Sequence, residues 1–372
     1  ATHEEGRAAR GAIDDARRAV AESLTVKSEE ITFTSGGTES NNLAILGSIR
    51  ALHARGIEYS AMHIISSTIE HAATLGALAM VEKWGVAVTR VSPNKDGIVE
   101  PDSIVSAQKD TTVLITLAEV NSEIGVIQPL KEIVRRTRER HSAYADTVPE
   151  ILFPILHADC AQSPLYLDAS PHHVGADLAS YDAQKIMGPK GVGVLYRSFS
   201  VPILPIMGGG SQERGLRSGT ENTASIVAAG VAFTAAHDER ARRTIRVSAM
   251  REYLVQKLRH EIPDLTIVGS MKKRIANNVQ CAFHNVDGDY LAVLMDREGI
   301  AVSPRSACSG SSVGHSHVVL ALTNDMSLAR GTIRFSLGQS TTQKDCDRAV
   351  RALVRVLPLA GYHGTLNKRK KN

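Results

Sequence analysis

The stretch that decides the fold is ITFTSGGTES, which occupies residues 31–40. Its first four residues are β-branched or aromatic and predict a short strand, and the glycine pair behind them predicts a turn. From Glu39 to about Arg55, alanine, leucine and isoleucine recur at helical spacing and predict a helix. A glycine turn between a strand and a helix lets backbone N–H groups bind an anion. The lysine of a P-loop is missing, and a glycine-rich cap without a ligand explains this segment equally well.

Strands and helices alternate in the same way on both sides of this stretch, beginning with a helix predicted over residues 4–24. Such alternation requires crossover connections, so the sequence predicts an α/β fold with a mostly parallel sheet and helices on both faces. Ligands of such sheets bind beyond the carboxyl ends of the strands. The predicted strands are Ile31–Thr34, Met62–Ser66, Val86–Val91, Val113–Leu117, Ile155–Ala158, Leu178–Ser180 and Gly191–Tyr196, and further helices are predicted over Ala72–Trp84, Pro101–Gln108 and Leu130–Arg140.

The character of the sequence changes near Arg240, and we predict a large domain over residues 1–240 and a smaller α+β domain over residues 241–372. Just before this boundary, Thr223–Ala236 is an uncharged run of 14 residues. A membrane-spanning helix needs roughly 20 apolar residues, so this run predicts a buried helix instead. The smaller domain is predicted to contain helices over Ile245–Glu261, Asp289–Glu298 and Lys344–Leu357 and strands near Leu265–Val268, Asn278–Phe283 and Thr332–Ser336.

The composition argues against several classes of partner and site. Lys and Arg number 43 and Asp and Glu number 39, a balance of +4 that is too small to favour nucleic acid or a membrane surface. Aromatic residues make up 4% of the chain, so a base-stacking surface is not expected. The four cysteines form no CxxC pair, which argues against a structural zinc site and a disulfide framework. We therefore expect no metal site and a reducing, cytoplasmic setting.

Two polar segments follow predicted strands and combine with the glycine turn. Asp159 comes directly after a strand, where it could pair with a cationic ring nitrogen, and Gln162 could donate to a ring oxygen; helix capping explains Asp159 at least as well. Lys185 precedes Gly188-Pro189-Lys190-Gly191 in a turn between two strands, a placement that suits Schiff-base chemistry, although a lone loop lysine is usually solvated. The three segments together favour a pyridoxal phosphate site.

One cysteine differs from the others in its surroundings. Cys308 lies among small polar residues in SACSGSS, residues 306–312, and this setting predicts an accessible, nucleophilic thiol. Cys160, Cys281 and Cys346 lie in apolar or helical patterns that predict packing roles. Arg334 follows a β-type run and could bind a substrate carboxylate through both of its terminal nitrogens.

The chain resembles the cysteine desulfurases of the NifS/IscS type, which are pyridoxal phosphate enzymes of fold type I. The resemblance extends from Ala1 to about Leu357. It implies a seven-stranded sheet in the large domain and a homodimer. The segments that carry it are Thr34–Asn42, Glu70-His71, Asn121–Gln128, Asp159–Gln162, Lys185–Gly191, Arg217–Asn222, Ser306–Ser312 and Arg334–Gly338.

The resemblance implies a role for each residue around the cofactor ring. Lys185 would hold the cofactor covalently and move protons on the substrate. Asp159 would pair with the pyridinium nitrogen, and Gln162 would hydrogen-bond the ring hydroxyl. His71 would stack on the ring and assist proton transfer, whereas by itself a histidine after a strand more often caps a helix.

It also implies which residues bind the phosphate and the substrate. Gly37 and Thr38 would bind the phosphate, and Thr220 would reach it from a second subunit. Arg334 would hold the carboxylate of L-cysteine, with Asn121 beside it. Cys308 would attack the substrate sulfur, which gives a persulfide and releases alanine. The sulfur would then pass to an acceptor protein, either an iron–sulfur scaffold or a tRNA-thiolation protein.

Three departures from the family pattern affect the cofactor site. Asp182 and Gln184 stand where the family has serine and histidine in the phosphate-binding turn, and the aspartate adds like charge beside a phosphate. Ser122 replaces the second of two asparagines. The family's amino-terminal segment has no counterpart ahead of Ala1. We expect these departures to weaken cofactor affinity.

Other functions remain compatible with the same residues. Selenocysteine lyases share the fold and the segment around Thr220, and comparison of rates on cysteine and selenocysteine would separate them. An aminotransferase of the same fold would not need the cysteine segment around Cys308. A degenerate, non-catalytic dimer that binds other sulfur-transfer proteins would explain Asp182, Gln184 and Ser122.

Overall fold

The first part of the chain forms a seven-stranded sheet. The structure is a computed structural model that describes residues 2–139, 154–304 and 314–367. The α/β fold predicted from the sequence is confirmed, and the predicted strands lie within two residues of the observed ones. The polar segment Ser142–Pro149, whose sequence predicts a surface insertion, lies outside the described residues. The strands are β1 (Ile31–Thr34), β2 (His63–Ser67), β3 (Ala87–Val91), β4 (Thr112–Ala118), β5 (Ile155–Asp159), β6 (Leu178–Asp182) and β7 (Gly193–Arg197).

The strand order of this sheet is β1-β7-β6-β5-β4-β2-β3. The strands from β3 to β6 are parallel to their neighbours, whereas β7 is antiparallel to both β6 and β1, so β1 points in the same direction as β6. In the register, Ala118 pairs with Asp159, and Thr34 at the end of β1 pairs with Gly193. The carboxyl ends of β1, β2, β4, β5 and β6 therefore meet at one edge, where such sheets bind ligands.

Helices pack on the sheet because each has an apolar side. In α2 (Gly37–Ala54), the side chains of Leu43, Ile45, Ile49 and Leu52 have no exposed surface, and complete burial of such a side chain contributes about 1.5–3 kcal/mol. The other helices before, between and after the strands are α1 (Glu4–Leu24), α3 (Ala72–Lys83), α4 (Pro101–Ala107), α5 (Leu130–Thr137), α6 (Pro171–Val174) and α7 (Thr223–Glu261).

Helix α7 differs from its prediction. It is one continuous helix of 39 residues, whereas the sequence predicted a buried helix over Thr223–Ala236 and a separate charged helix after it. Ile226 and Phe233 are buried, but Val231 is 67% exposed, so burial of the whole run was a wrong expectation. The described part of the chain contains no helix that is long and apolar enough to cross a bilayer.

The chain forms two compact units. Unit 1 comprises Ala1–Val91, Val99–Val120 and Gln128–Arg240, and unit 2 comprises Ser92–Ile98, Asn121–Ile127 and Ala241–Asn372. Unit 2 contains a three-stranded antiparallel sheet in the order β10-β9-β8. Its elements are β8 (Thr266–Ile267), β9 (Asn278–Ala282), β10 (Thr332–Ser336), α8 (Gly288–Arg297), α9 (His317–Thr323), α10 (Met326–Arg330) and α11 (Gln343–Val356).

Two short segments from the first half of the sequence belong to unit 2. Backbone hydrogen bonds hold them there, from Ser270 N to the Asp96 carbonyl (2.8 Å) and from Ile127 N to the Lys273 carbonyl (2.8 Å). The sequence interpretation placed both segments in the first domain because each lies between strands of the large sheet. Nothing in their local sequence indicates pairing with residues near 270.

Candidate active site

The glycine turn after β1 forms the amino terminus of α2. Gly36 is the N-cap residue, with φ of 154°, and no side chain caps the helix from this position. Gly193, at the start of β7, lies so close that a Cβ on it would be 2.4 Å from the Gly36 carbonyl carbon. Only glycine fits there, and the contact holds the turn against the sheet. The buried Gly37 and the exposed Thr38 follow at the positive end of an 18-residue helix, which suits an anion.

Asp182 lies directly beside this turn. A Cβ built on Gly37 would be 3.2 Å from the Asp182 Cβ and 3.4 Å from its Oδ2. The carboxylate accepts hydrogen bonds from the Gln184 backbone N–H to Oδ1 (3.2 Å) and from Gln184 Nε2 to Oδ2 (3.0 Å). The two residues that depart from the family pattern are therefore bonded to each other.

Asp159 ends β5 and is 8% exposed. Asn41 Nδ2 donates to its Oδ2 (2.8 Å) and the Ala161 N–H donates to its Oδ1 (3.0 Å). The residues after Asp159 form turns rather than a helix, so the alternative of helix capping is wrong. Within the described ranges the buried Asn41 Oδ1 accepts no hydrogen bond. Gln162 is half-buried in the same turn.

A second buried carboxyl group lies in this region. Glu70 accepts hydrogen bonds from the Ser67 hydroxyl (2.5 Å) and the Ala118 N–H (2.8 Å). Burial, with a smaller contribution from the charge of Asp159, raises the pKa of Glu70 to about 8. His71, the next residue, is half-buried and caps α3, because its Nδ1 accepts from the Ala73 N–H (3.1 Å).

Lys185 lies on a 3₁₀ turn, Ala183–Ile186, that follows β6 directly. Asp182 is the N-cap of this turn, so the residue beside Gly37 also positions the lysine. The Lys185 side chain is exposed, and it has no hydrogen bond or ion pair with any residue that the structure describes. An amine beyond the carboxyl end of β6 and a carboxylate at the end of β5 thus come from adjacent strands.

Thr220 lines a pocket of about 200 Å³ together with Thr34, Gly191 and Arg217. Arg217 Nε donates to Glu39 Oε1 (3.0 Å), and the other Glu39 oxygen accepts from the Ser35 N–H (2.8 Å). These contacts join the segment that carries Thr220 to the first turn of α2. Thr220 itself is exposed.

Three of the expected site residues lie in the residue ranges of unit 2. Arg334, on β10, donates from Nη1 to the Ser122 carbonyl (2.8 Å). Asn121 is buried, and its Oδ1 accepts from the N–H groups of Glu123 and Ile124 (both 3.0 Å), which closes a tight turn. Cys308 lies outside the described residues.

The sequence interpretation gave no role to Asn41, Glu70 or Glu119. Glu119 follows β4 and is buried, and burial raises its pKa to about 7. A carboxylate two residues after the predicted strand Val113–Leu117 was a weaker signal for Glu119 than the carboxylate directly after a strand was for Asp159. Asn41 offered no such signal, because a polar residue inside a predicted helix is ordinarily assigned to a solvated face.

Comparison with known proteins identifies the family. The aminotransferase class-V family matches residues 1–349. The chain belongs to this family. It is 38% identical over 355 residues to cysteine desulfurase IscS of Dictyoglomus turgidum, covering 95% of this chain and 86% of that protein. It is 37% identical to cysteine desulfurase IscS of Pseudomonas entomophila, covering 96% and 84%.

Structural comparison agrees with the sequence relatives. A solved structure of a NifS-like protein superposes with a TM-score of 0.85 and 29% identity, covering 96% of this chain and 91% of that one. The resemblance to the NifS/IscS type is thus confirmed, and with it the cofactor of the family, pyridoxal phosphate (PLP).

The described residues fit this cofactor at two ends of the site. Asp159 offers a buried carboxylate that two N–H donors hold in place, as pairing with a cationic ring nitrogen requires. The turn at Gly37 offers N–H groups without a capping side chain, as a phosphate requires. One feature opposes the fit, since the Asp182 carboxylate lies against Gly37.

Proposed function

We propose that the protein is a PLP-dependent cysteine desulfurase that converts L-cysteine to L-alanine and transfers the sulfur to an acceptor protein. The observation that carries this proposal is the placement of Asp159 and Lys185 beyond the carboxyl ends of the adjacent strands β5 and β6. The relatives named cysteine desulfurase IscS support the choice of substrate.

The residues of unit 1 would bind the cofactor. Lys185 would hold it through its amine and move a proton on the substrate, Asp159 would bind the ring nitrogen, and Gln162 the ring hydroxyl. Gly37 and Thr38 would bind the phosphate. When bound, PLP supplies an electron sink that stabilises negative charge developing on the substrate.

Further contacts complete the proposed site. Thr220 of the partner subunit would reach the phosphate in a homodimer. His71 would lie against the ring, and its cap on α3 fixes the position of its backbone. Asp182, which lies beside Gly37, and Gln184 would border the phosphate end. The charge balance and cysteine usage support a cytoplasmic protein.

Sulfur transfer would use residues 121, 308 and 334. Arg334 and Asn121 would bind the substrate carboxylate. The Cys308 thiolate would attack the sulfur of cysteine and form a sulfur–sulfur bond, while the carbon–sulfur bond breaks. Its electron pair stays on carbon, which takes a proton and becomes the methyl group of alanine. Cys308 is left as a persulfide, whose outer sulfur passes to the acceptor, an iron–sulfur scaffold or a tRNA-thiolation protein.

A degenerate binding protein is the second candidate, and one observation favours it. The Asp182 carboxylate lies beside Gly37, so it places negative charge where the proposed site would bind the phosphate. Selenocysteine lyase remains a third candidate because it would use the same residues on a closely similar substrate.

The decisive experiment measures alanine and sulfide formed from L-cysteine by the full chain with PLP and a reductant. Lys185→Ala should abolish both products, while Lys190→Ala, also an exposed lysine of the same turn, serves as the control. Cys308→Ser should bind PLP and cysteine yet form no persulfide, since serine cannot accept sulfur. Unimpaired alanine formation by Lys185→Ala would refute the proposal. Comparison of the rates on cysteine and selenocysteine tests the third candidate.

Thiol labelling tests the assignment of the nucleophile independently. Cys160, Cys281 and Cys346 are buried, and burial raises the thiol pKa of Cys281 to about 12 and that of Cys346 to about 11. We expect one rapidly alkylated thiol per native chain at neutral pH, and none in Cys308→Ser. Rapid labelling that persists in Cys308→Ser would contradict the assignment.

A further inference from the structure

Asp182 and Gln184 form a hydrogen-bonded pair at the phosphate end of the proposed site. Gln184 donates two hydrogen bonds to the Asp182 carboxylate, one from its backbone N–H and one from its side-chain amide. Asp182 as a residue is 8% exposed, and its carboxylate forms no ion pair with the residues that the structure describes. One N–H of the glutamine amide is therefore engaged with the carboxylate.

The position of this pair matters because of what lies beside it. Asp182 Oδ2 is 3.4 Å from the position of a Cβ on Gly37, the first residue of α2. The positive end of a helix favours negative charge, and here a carboxylate of the protein already lies within its range. The other carboxylate of this turn, Glu39, differs because Arg217 pairs with it.

A phosphate ester carries close to two negative charges near neutral pH. A carboxylate a few ångströms away opposes its binding, whereas a ligand without phosphate meets no such repulsion. The aldehyde and ring of the cofactor would be bound elsewhere, by Lys185 and Asp159. The charge of Asp182, as distinct from its cap on the Lys185 turn, should therefore act on the phosphate alone.

We propose that the Asp182–Gln184 pair lowers the contribution of the phosphate to cofactor binding, so that the protein discriminates weakly between PLP and pyridoxal. This inference rests on the proposed PLP-dependent function. It makes Asp182 a specificity-determining residue, with Gln184 as the group that holds its carboxylate in place.

Equilibrium dialysis of the full chain against PLP and against pyridoxal, at pH 7.5 and low salt, tests the inference. Asp182→Asn keeps the shape of the side chain and its cap on the Gln184 N–H but removes the charge. We expect it to raise PLP affinity by roughly tenfold and pyridoxal affinity by less than about twofold. The gain should shrink in 1 M salt, because salt screens partly exposed charges. Asp287→Asn, which caps α8 in the same way, is the matched control and should change neither affinity.

Gln184→Ala tests the role of the pair. Without the amide donor the carboxylate is less well compensated, so PLP affinity should fall by a few-fold in the parent background and change little in the Asp182→Asn background. Additive effects of the two substitutions on PLP affinity would contradict the coupling of the pair.

Two results would overturn the inference while leaving the proposed function intact. Equal changes in PLP and pyridoxal affinity in Asp182→Asn would assign Asp182 to positioning of Lys185, and an unchanged PLP affinity would mean that the carboxylate does not face the phosphate. Absence of PLP binding by the parent and by every variant would instead refute the proposed function itself, and the inference with it.

Discussion

Two buried glutamates of unit 1 show how differently one side-chain type is accommodated. Glu213 forms a bidentate ion pair with Arg17, in which Nη2 donates to Oε1 (2.6 Å) and Nη1 donates to Oε2 (2.7 Å). The Glu213 carboxylate also accepts a hydrogen bond from the Phe33 N–H (2.9 Å). Glu70 accepts from the Ser67 hydroxyl and a backbone N–H, and burial raises its pKa to about 8. The first side chain joins distant segments through charge, whereas the second is held in a protonated form near pH 7.

The difference follows from what surrounds each group. Glu213 has a left-handed backbone, with φ of 47°, as does Arg214 with φ of 55°, a conformation that non-glycine residues rarely adopt. The ion pair stabilises this segment, which leads to Thr220. Glu70 lies near Asp159, and the negative charge of Asp159 opposes the ionisation of Glu70.

Replacement of Arg17 by methionine should have the largest effect on stability. It leaves Glu213 buried without its cation, and breaking a buried pair in this way costs about 3–5 kcal/mol. Urea unfolding of the full chain measures the loss. The double variant Arg17→Met/Glu213→Met should recover part of it, since the Phe33 N–H loses its acceptor, and a double variant as unstable as the single one would show that the segment needs the pair for another reason.

Glu70→Gln should change the pH dependence of stability. Since the pKa of Glu70 rises from 4.5 to about 8 on folding, its stabilising contribution is complete below pH 4.5 and is lost as the pH rises to about 8. The parent should therefore lose stability with a slope approaching about 1.4 kcal/mol per pH unit from this group, and Glu70→Gln should remove that slope.

The window from pH 6.5 to 8.5 isolates this effect. Burial lowers the pKa of His63 to about 4 and that of His157 to about 3, so their stabilising contributions are lost only as the pH falls below 6.5. Glu119, whose pKa rises to about 7, leaves a residual slope of the same sign in both proteins. An identical slope in parent and Glu70→Gln would show that Glu70 is not protonated in the folded chain.

Asp159→Asn should change the pH dependence of stability less than Glu70→Gln does. Because the charge of Asp159 raises the pKa of Glu70, its removal should move the midpoint of the alkaline loss of stability to lower pH without abolishing it. Urea unfolding at several pH values gives the midpoint. A shift to higher pH would contradict the assigned interaction, and Asp177→Asn, immediately before β6 and outside this cluster, is the control.

Arg135→Ala should have the smallest effect. Its guanidinium pairs with Glu132 and Glu139 on the surface, and its side chain is 61% exposed, so water screens both pairs and they contribute little to stability. The loss should decrease further in high salt. A loss comparable to that of Arg17→Met would mean that burial does not explain the difference between the two kinds of pair.

Local sequence predicted most of the elements of the fold. The strand at Thr332–Ser336 and the helix that begins at Glu4 lie where their periodicity places them. The short helices α6, α9 and α10 were missed because segments of four to seven residues show too little periodicity. The continuous α7 was divided because its charge pattern changes midway although the backbone does not.

The candidate site was predicted in part and for a physical reason. Asp159 and Lys185 each follow a strand, and parallel strands bring their carboxyl ends to one edge of the sheet. The topology therefore places both residues at that edge. The hydrogen bond from Asn41 to Asp159 spans 118 residues and has no local signature. The bond between Asp182 and Gln184 is local, but only the packing of Gly37 against Asp182 shows which ligand group it faces.

By itself the sequence determined the order of strands and helices, the glycine turn and the family, because these depend on neighbouring residues and on their spacing. Tertiary structure alone decided which carboxyl groups are paired, which are protonated and which borders the proposed phosphate site. Arg17 and Glu213 are 196 positions apart, and the protonation of Glu70 depends on how completely the surrounding sheet excludes water. Desolvation and long-range pairing arise only when the chain is packed, so no local pattern encodes them.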